Sequence, residues 1–138
     1  MVNDTIENNN VSSIINIKKI SYINKDFRRE IWTGKYAQVT VMNIEPGGEI
    51  GLEFHSDLDQ ILGVVYGVAT VYTGKTKNSV SFDGFANDNS LIVIPSGTYH
   101  NVINDRPYPL KLFSFYAPPN HPVNTIHKTK FDSDLAEN

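Results

Sequence analysis

The 138-residue chain has no cysteine, which rules out disulfides, thiolate metal sites and a thiol nucleophile. Histidine, carboxylate and amide groups are left to carry any metal. No apolar run approaches the ~20 residues of a membrane span, and the first residues lack a basic segment followed by an apolar one. Neither a spanning helix nor a signal peptide is expected, and a cytoplasmic location is the default. Excess positive charge is missing too: 12 Lys and Arg against 15 Asp and Glu leave a net charge of -3, which offers no electrostatic case for a nucleic-acid or acidic-membrane partner. There is no internal repeat, no glycine-rich phosphate cradle and no stretch that reads as a helix.

What is present fits one soluble domain with room for a sizeable core. Residues 1–13, with Asn3, Asn8, Asn9 and Asn10, are polar and turn-prone, and a mobile tail is expected there. Residues 14–23 carry β-branched side chains at irregular spacing and read as one or two edge strands; an exposed edge of this kind invites pairing across a two-fold axis, so a homodimer is expected. Strand-like runs follow at 39–44, 49–55, 61–66, 69–73, 80–82, 90–94, 99–103 and 110–116, separated by turns such as Pro46-Gly47-Gly48 and Pro95-Ser96-Gly97. About eight short strands at this interval indicate an all-β sandwich or barrel. Pro118, Pro119 and Pro122 end the strand ladder, because each removes a backbone donor. The expected organisation is a tail over 1–13, a β-barrel domain over 14–122 and a C-terminal tail over 123–138.

Two stretches carry the chemistry. In the first, Glu53 and His55 stand two apart in strand-like sequence, so they share a face, and Gln60 follows after the turn Ser56-Asp57-Leu58-Asp59. In the second, His100 lies just after a Pro-x-Gly turn and four residues before Asn104. The four could converge. Together these stretches resemble the two motifs of the cupins, G-x5-H-x-H-x3-4-E-x6-G and G-x5-P-x-G-x2-H-x3-N. Gly47, Glu53, His55, Gln60 and Gly67 keep the first spacing, with Glu53 in place of the first His and Gln60 in place of the Glu. Pro95, Gly97, His100 and Asn104 keep the second, with Asn89 where a Gly usually stands. Two spaced motifs in order are far more specific than either alone.

The resemblance implies an antiparallel β jelly-roll barrel holding one divalent metal ion, with Zn, Mn, Fe and Ni not distinguished. Glu53, His55, Gln60 and His100 supply a carboxylate oxygen, two imidazole nitrogens and an amide oxygen as ligands. More narrowly, the stretches Ala117 to Pro122 and His127 to Lys130 resemble small single-domain bacterial cupins labelled mannose-6-phosphate isomerase-like. A Gln, a Glu and two His is the ligand composition of the zinc phosphomannose isomerases, with Gln and Glu exchanged here. The implied activity is that of a sugar or sugar-phosphate isomerase acting on a small polar ligand. The rivals are an iron or manganese dioxygenase using two His and one carboxylate, and a noncatalytic small-ligand module. Candidate bases are Glu49, Asp57, Asp59 and His121, while a phosphate could be met by Arg28, Arg29 or Lys111. Tyr66, Tyr99 and Tyr116 are candidate ligand contacts, although strand aromatics are more often core. For Arg28 and Arg29 a solvated charged turn is the favoured expectation, with an anion clamp at a cavity mouth as the alternative. His121 and His127 are expected at the surface or an interface, and Asn104 as a tie for the loop beside His100.

Overall fold

The computed structural model describes residues 10–137; residues 1–9, the larger part of the expected N-terminal tail, lie outside that range. Its elements are α1 (Ile17–Ile23), β1 (Arg28–Thr33), β2 (Gln38–Ile44), β3 (Asp59–Tyr66), β4 (Ala69–Gly74), β5 (Ser81–Ala86), β6 (Leu91–Ile94), β7 (Tyr99–Ile103), β8 (Leu110–Ala117), β9 (Ile126–His127) and α2 (Lys130–Glu137). The strands form a six-stranded sheet in the order β6-β3-β8-β2-β1-β9 and a three-stranded sheet β5-β4-β7, with every pairing antiparallel. The expected all-β architecture is what the chain adopts. No helix among the described residues is long and apolar enough to cross a membrane.

The two-residue alternation of strands organises the interior. Leu62 and Val64 on β3, Met42 and Ile44 on β2, and Leu110 and Leu112 on β8 point between the sheets, where they meet Ala69, Val71, Ala86 and Val102. Farther along the same strands the inward positions become polar. Gln38 and Gln60 both pair with Tyr116, and Thr40 pairs with Ser114; all five side chains are buried. One end of the interior is thus an apolar core and the other a polar chamber. Leu112 stands in the apolar half, fully buried between Met42 and Val64 on its neighbouring strands. Leu112→Ala is expected to cost about 2–5 kcal/mol through lost burial and the cavity left behind, read from urea unfolding midpoints. A loss below about 1 kcal/mol would mean that this end of the barrel collapses to fill the gap.

Four expectations need correction. Residues 14–23 do not form an edge strand, since 17–23 are α1. The Asn16 side chain caps the helix by accepting the Lys19 amide N–H, and Ile17 and Ile20, three apart on one face, pack with Ile31, Val39 and Val41 on the outside of the sheet. Capping and burial outweigh the modest β preference of isoleucine. Residues 49–55 form no regular strand but only two isolated bridges, Glu49 to Ile103 and Glu53 to His100, because Gly51 takes a φ of 102°. The C-terminal segment is more than a tail: β9 pairs with β1, and α2 starts at a reciprocal cap in which the Thr129 hydroxyl accepts the Asp132 N–H and the Asp132 carboxylate accepts that of Thr129. Arg28 and Arg29 belong to β1 rather than to a turn, and Arg28 points inward, 1% exposed. Within the expected N-terminal tail, Asn10 donates its N–H to the Thr33 carbonyl, and the Val11 carbonyl accepts from the Trp32 indole.

Candidate metal centre

The two motif stretches meet because their backbones lie side by side. Gly47 N–H donates to Asn104 O at 2.8 Å, Ile50 to Val102 at 2.9 Å and Gly97 to His55 at 2.7 Å, while Glu53 and His100 exchange both of their bonds at 2.9 and 3.0 Å. Asn104 fixes the loop beside His100: its amide donates to the carbonyls of Ile44 and Tyr108, and its oxygen accepts from Arg106 N–H. Gly67 has a φ of 93° and lies so close to the Pro109 carbonyl that a Cβ would stand 2.7 Å from it. Asn89 takes a φ of 70°, a left-handed conformation that asparagine adopts more readily than most side chains, which explains how it fills a glycine's motif position.

Glu53, His55 and His100 come together with their ligand atoms all within 4.8 Å of one another. Donors at 2.0–2.2 Å from one tetrahedral ion lie about 3.3–3.6 Å apart, so side-chain shifts of up to about 1 Å would close a shell. His100, 1% exposed, donates from Nδ1 to the Thr98 carbonyl at 3.0 Å, which orients the ring and turns Nε2 toward Glu53 Oε1 at 3.6 Å, where an ion would take up the Nε2 lone pair. Gln60 donates its amide N–H to Ser114 Oγ at 3.0 Å, leaving its oxygen available. Glu53 Oε1, His55 Nε2, Gln60 Oε1 and His100 Nε2 are all buried without a hydrogen-bond partner among the described residues. Such orphaned acceptors cost about 1–3 kcal/mol each unless something satisfies them. As a donor set they suit a divalent cation.

Charge in the site is balanced by Arg28, which the favoured expectation had placed in solvent. Its Nη2 lies 3.9 Å from Glu53 Oε2. Burial alone would push the Glu53 carboxyl up, but the His100 ring, the Arg28 guanidinium and His55 outweigh burial and hold it below its ordinary value. Burial lowers His55, reinforced by His100 and Arg28 against the pull of Glu53, which keeps the ring neutral as a ligand must be. Arg29 lines a different hollow beside α1, and Lys111 donates to the Asn24 carbonyl at 2.6 Å, so of the three cations only Arg28 adjoins the centre.

A cavity of ≈ 510 Å³ opens beside the cluster, lined by Glu53 and His55 on one side and by His121, His127 and Glu137 on the other. His121, expected at the surface or an interface, is buried, because Gln38 clamps the backbone there, accepting the N–H of Asn120 and His121 on Oε1 and donating to the His121 carbonyl. Of the four candidate bases only His121 lines this cavity, since Glu49, Asp57 and Asp59 are exposed. Tyr116 is wholly buried, its hydroxyl 3.4 Å from His121 Nε2 and its ring centre 6.3 Å from that of His55. Tyr99 stacks on Phe54 at 4.4 Å. Tyr66 belongs elsewhere: 41% exposed, it packs edge-on against Tyr22 and Tyr108.

The family pattern of the cupins matches residues 29–136. The chain belongs to the cupin family. It is 48% identical over 124 residues to the uncharacterized protein YrkC of Bacillus subtilis, a match spanning 90% of this chain and 67% of that one. A crystal structure from Bacillus halodurans superposes with a TM-score of 0.89 at 43% identity, covering 91% of this cupin and 95% of that chain. An uncharacterized conserved protein with a double-stranded beta-helix domain from Klebsiella pneumoniae shares the fold, with a TM-score of 0.65 at 19% identity over 91% of this chain and 99% of that one. Small-molecule ligands and metals are common in this fold, and the Glu-His-His group stands where one could be held.

His121 makes the stability of this cupin depend on pH. Burial first, then the Arg28 guanidinium, lower its pKa to about 3; the half-exposed Glu137 carboxylate at 3.8 Å, shared with Arg28, does not reverse this. The unfolded chain binds a proton at this residue below about pH 6.5 and the folded one only near pH 3, so stability contributed by the neutral ring is complete above 6.5 and falls by up to about 1.4 kcal/mol per pH unit beneath it. Between pH 7 and pH 5 the parent is expected to lose up to about 2 kcal/mol more than His121→Gln. Equal losses in urea titrations of the two proteins would contradict a neutral, buried His121.

Proposed function

We propose that this cupin is a metal-dependent enzyme acting on a small, oxygen-rich polar molecule, isomerase-like toward a sugar or sugar phosphate. The observation that carries it is the set of four buried, unpartnered polar atoms on Glu53, His55, Gln60 and His100. An ion held by the two histidines and Glu53, with the Gln60 amide oxygen as a weaker fourth ligand, would supply Lewis-acid polarisation of a bound carbonyl. The chain's own contribution is the opposite wall: a neutral His121 able to accept or donate a hydrogen bond, the Tyr116 hydroxyl kept protonated by burial, and the buried Arg28 charge. A second reading rests on composition: Glu53, His55 and His100 alone make up the two-histidine, one-carboxylate set of iron oxygenases.

The two separate on reaction with water and oxygen. Protein loaded anaerobically with zinc, manganese or iron is incubated with a panel of aldoses, ketoses and their phosphates in deuterated water; an isomerase places deuterium on the carbon beside the carbonyl and consumes no oxygen. Oxygen uptake without deuterium incorporation favours the dioxygenase. Neither signal, with ligand-induced thermal stabilisation alone, leaves a noncatalytic binding module. A homodimer stays within the proposal. With residues 17–23 helical, it would pair through the edge strand β6, which has no second neighbour among the described residues and whose Leu91 and Val93 face outward; sedimentation as a monomer at micromolar concentration removes it.

A further inference from the structure

We propose that the cavity takes its ligand as an oxyanion, a carboxylate or phosphate group seated on the Arg28 guanidinium in the place that the Glu137 carboxylate occupies. This rests on the proposed function in one respect only, that the remainder of the ligand reaches the neighbouring metal centre. A guanidinium carries five donors suited to forked, bidentate pairing. At 1% exposure Arg28 has left water almost entirely, yet its donors are poorly used. Nη1 has one short bond, to Ser133 Oγ at 2.6 Å, with His127 Nδ1 and Glu137 Oε1 each at a long 3.5 Å. Nη2 stands 3.9 Å from Glu53, beyond hydrogen-bond reach, the Tyr116 hydroxyl and the Phe27 ring also border the guanidinium, and Nε is buried with no partner. A buried arginine with two carboxylates nearby, neither in fork geometry, is a site better matched by an oxyanion that can approach squarely.

Glu137 is the replaceable member. Its side chain is 44% exposed and it is the last residue of α2, where helices fray. The start of α2 is held separately by the Thr129 and Asp132 cap and by buried Ser133, so the last turn can open without releasing the first. Glu137 also lines the cavity beside Glu53 and His55, so its departure would open Arg28 toward that space. An incoming carboxylate exchanges one charge for one, leaving the buried balance of Arg28 against Glu53 unchanged, while a phosphate group brings up to about one further negative charge. A neutral ligand in that place would leave Arg28 underpaired, which is costly inside a protein.

The test uses the full-length protein, metal-free and at fixed ionic strength, titrated with inorganic phosphate and separately with acetate, and read by NMR chemical shifts. Glu137→Gln removes the internal competitor and is expected to bind at least one probe about tenfold more tightly than the parent, since an occupied site lowers apparent affinity by the fraction that is open. Arg28→Lys keeps the charge but loses the fork, and its affinity is expected to fall about tenfold. Preference for phosphate points to phosphate esters, and preference for acetate points to carboxylates. The proposal is overturned if Glu137→Gln binds neither probe more tightly than the parent, or if Arg28→Lys binds as well as the parent; should Arg28→Lys not fold, the Glu137→Gln comparison decides alone. Elemental analysis of the natively purified protein reports on the metal independently. Absent metal with the expected anion affinities would remove the functional reading and leave this one standing.

Discussion

His100→Ala is expected to abolish metal retention, lowering affinity by more than the about 10–100-fold that loss of an outer-shell partner costs. The imidazole is 1% exposed, its tautomer is set by the Thr98 carbonyl, and its Nε2 has no hydrogen-bond partner, so no neighbouring group can take over its lone pair. His55→Ala should behave in the same way. Gln60→Ala should be milder, because a neutral amide oxygen binds weakly and water can replace it. Glu53→Gln decides the charge question: it keeps size while removing the only carboxylate in the cluster, and metal affinity should fall well below that of Gln60→Ala. Competition with a chromogenic chelator orders the four variants on one scale. If Glu53→Gln retains metal as tightly as the parent while His55→Ala does not, Glu53 serves to pair Arg28 and the ligand set is wrong.

The convergence of Glu53, His55 and His100 was legible because the motif spacing holds even without a regular strand: Glu53 and His55 stand two apart beside the bridge to His100, and the turn glycines, Gly47 with a φ of 79° and Gly97 with a φ of 80°, bring one stretch against the other. The opposite wall obeyed no such rule. Arg28 meets Ser133 and Glu137 across sequence separations of 105 and 109 residues, and no local pattern announces such a partner. A weaker signal was present. Arg28, Glu30 and Trp32 alternate with Arg29, Ile31 and Thr33, which places Arg28 on one face of a strand once β1 is granted, and a strand position paired inward is a different environment from a turn. The helices had signals as well. Asn16 followed by isoleucines three apart marks the first, and Thr129-x-x-Asp132 marks the second; both were outweighed by β-branched composition and by the prolines that precede the C-terminal segment. Gln38 is the instructive omission. A lone glutamine in a strand carries no chemical flag, yet four of its hydrogen bonds fix Thr33, Asn120 and His121 and so set the cavity's far wall.

Arg28→Met should destabilise the fold by about 3 kcal/mol, toward the low end of what breaking a buried ion pair costs. Methionine fills similar volume, so the loss comes from charge rather than packing. Without the guanidinium, Glu53, only 15% exposed, is left as a largely buried carboxylate with nothing but histidines beside it. The half-exposed Glu137 can turn to water, which is why the figure stays low in the range. The penalty should be conditional in two ways that a packing defect would not show. Adding Glu53→Gln to Arg28→Met should recover much of the loss, since removing both partners of a buried pair leaves no orphaned charge. Saturating zinc should also stabilise Arg28→Met more than it stabilises the parent, because a cation in the cluster takes over the neutralisation of Glu53. Urea midpoints for the parent, the two single variants and the double variant, with and without zinc, complete the cycle. Strictly additive losses, with no difference in the zinc response, would mean that Arg28 supports the barrel through its contacts with Ser133 and α2 and does not balance the charge of the centre.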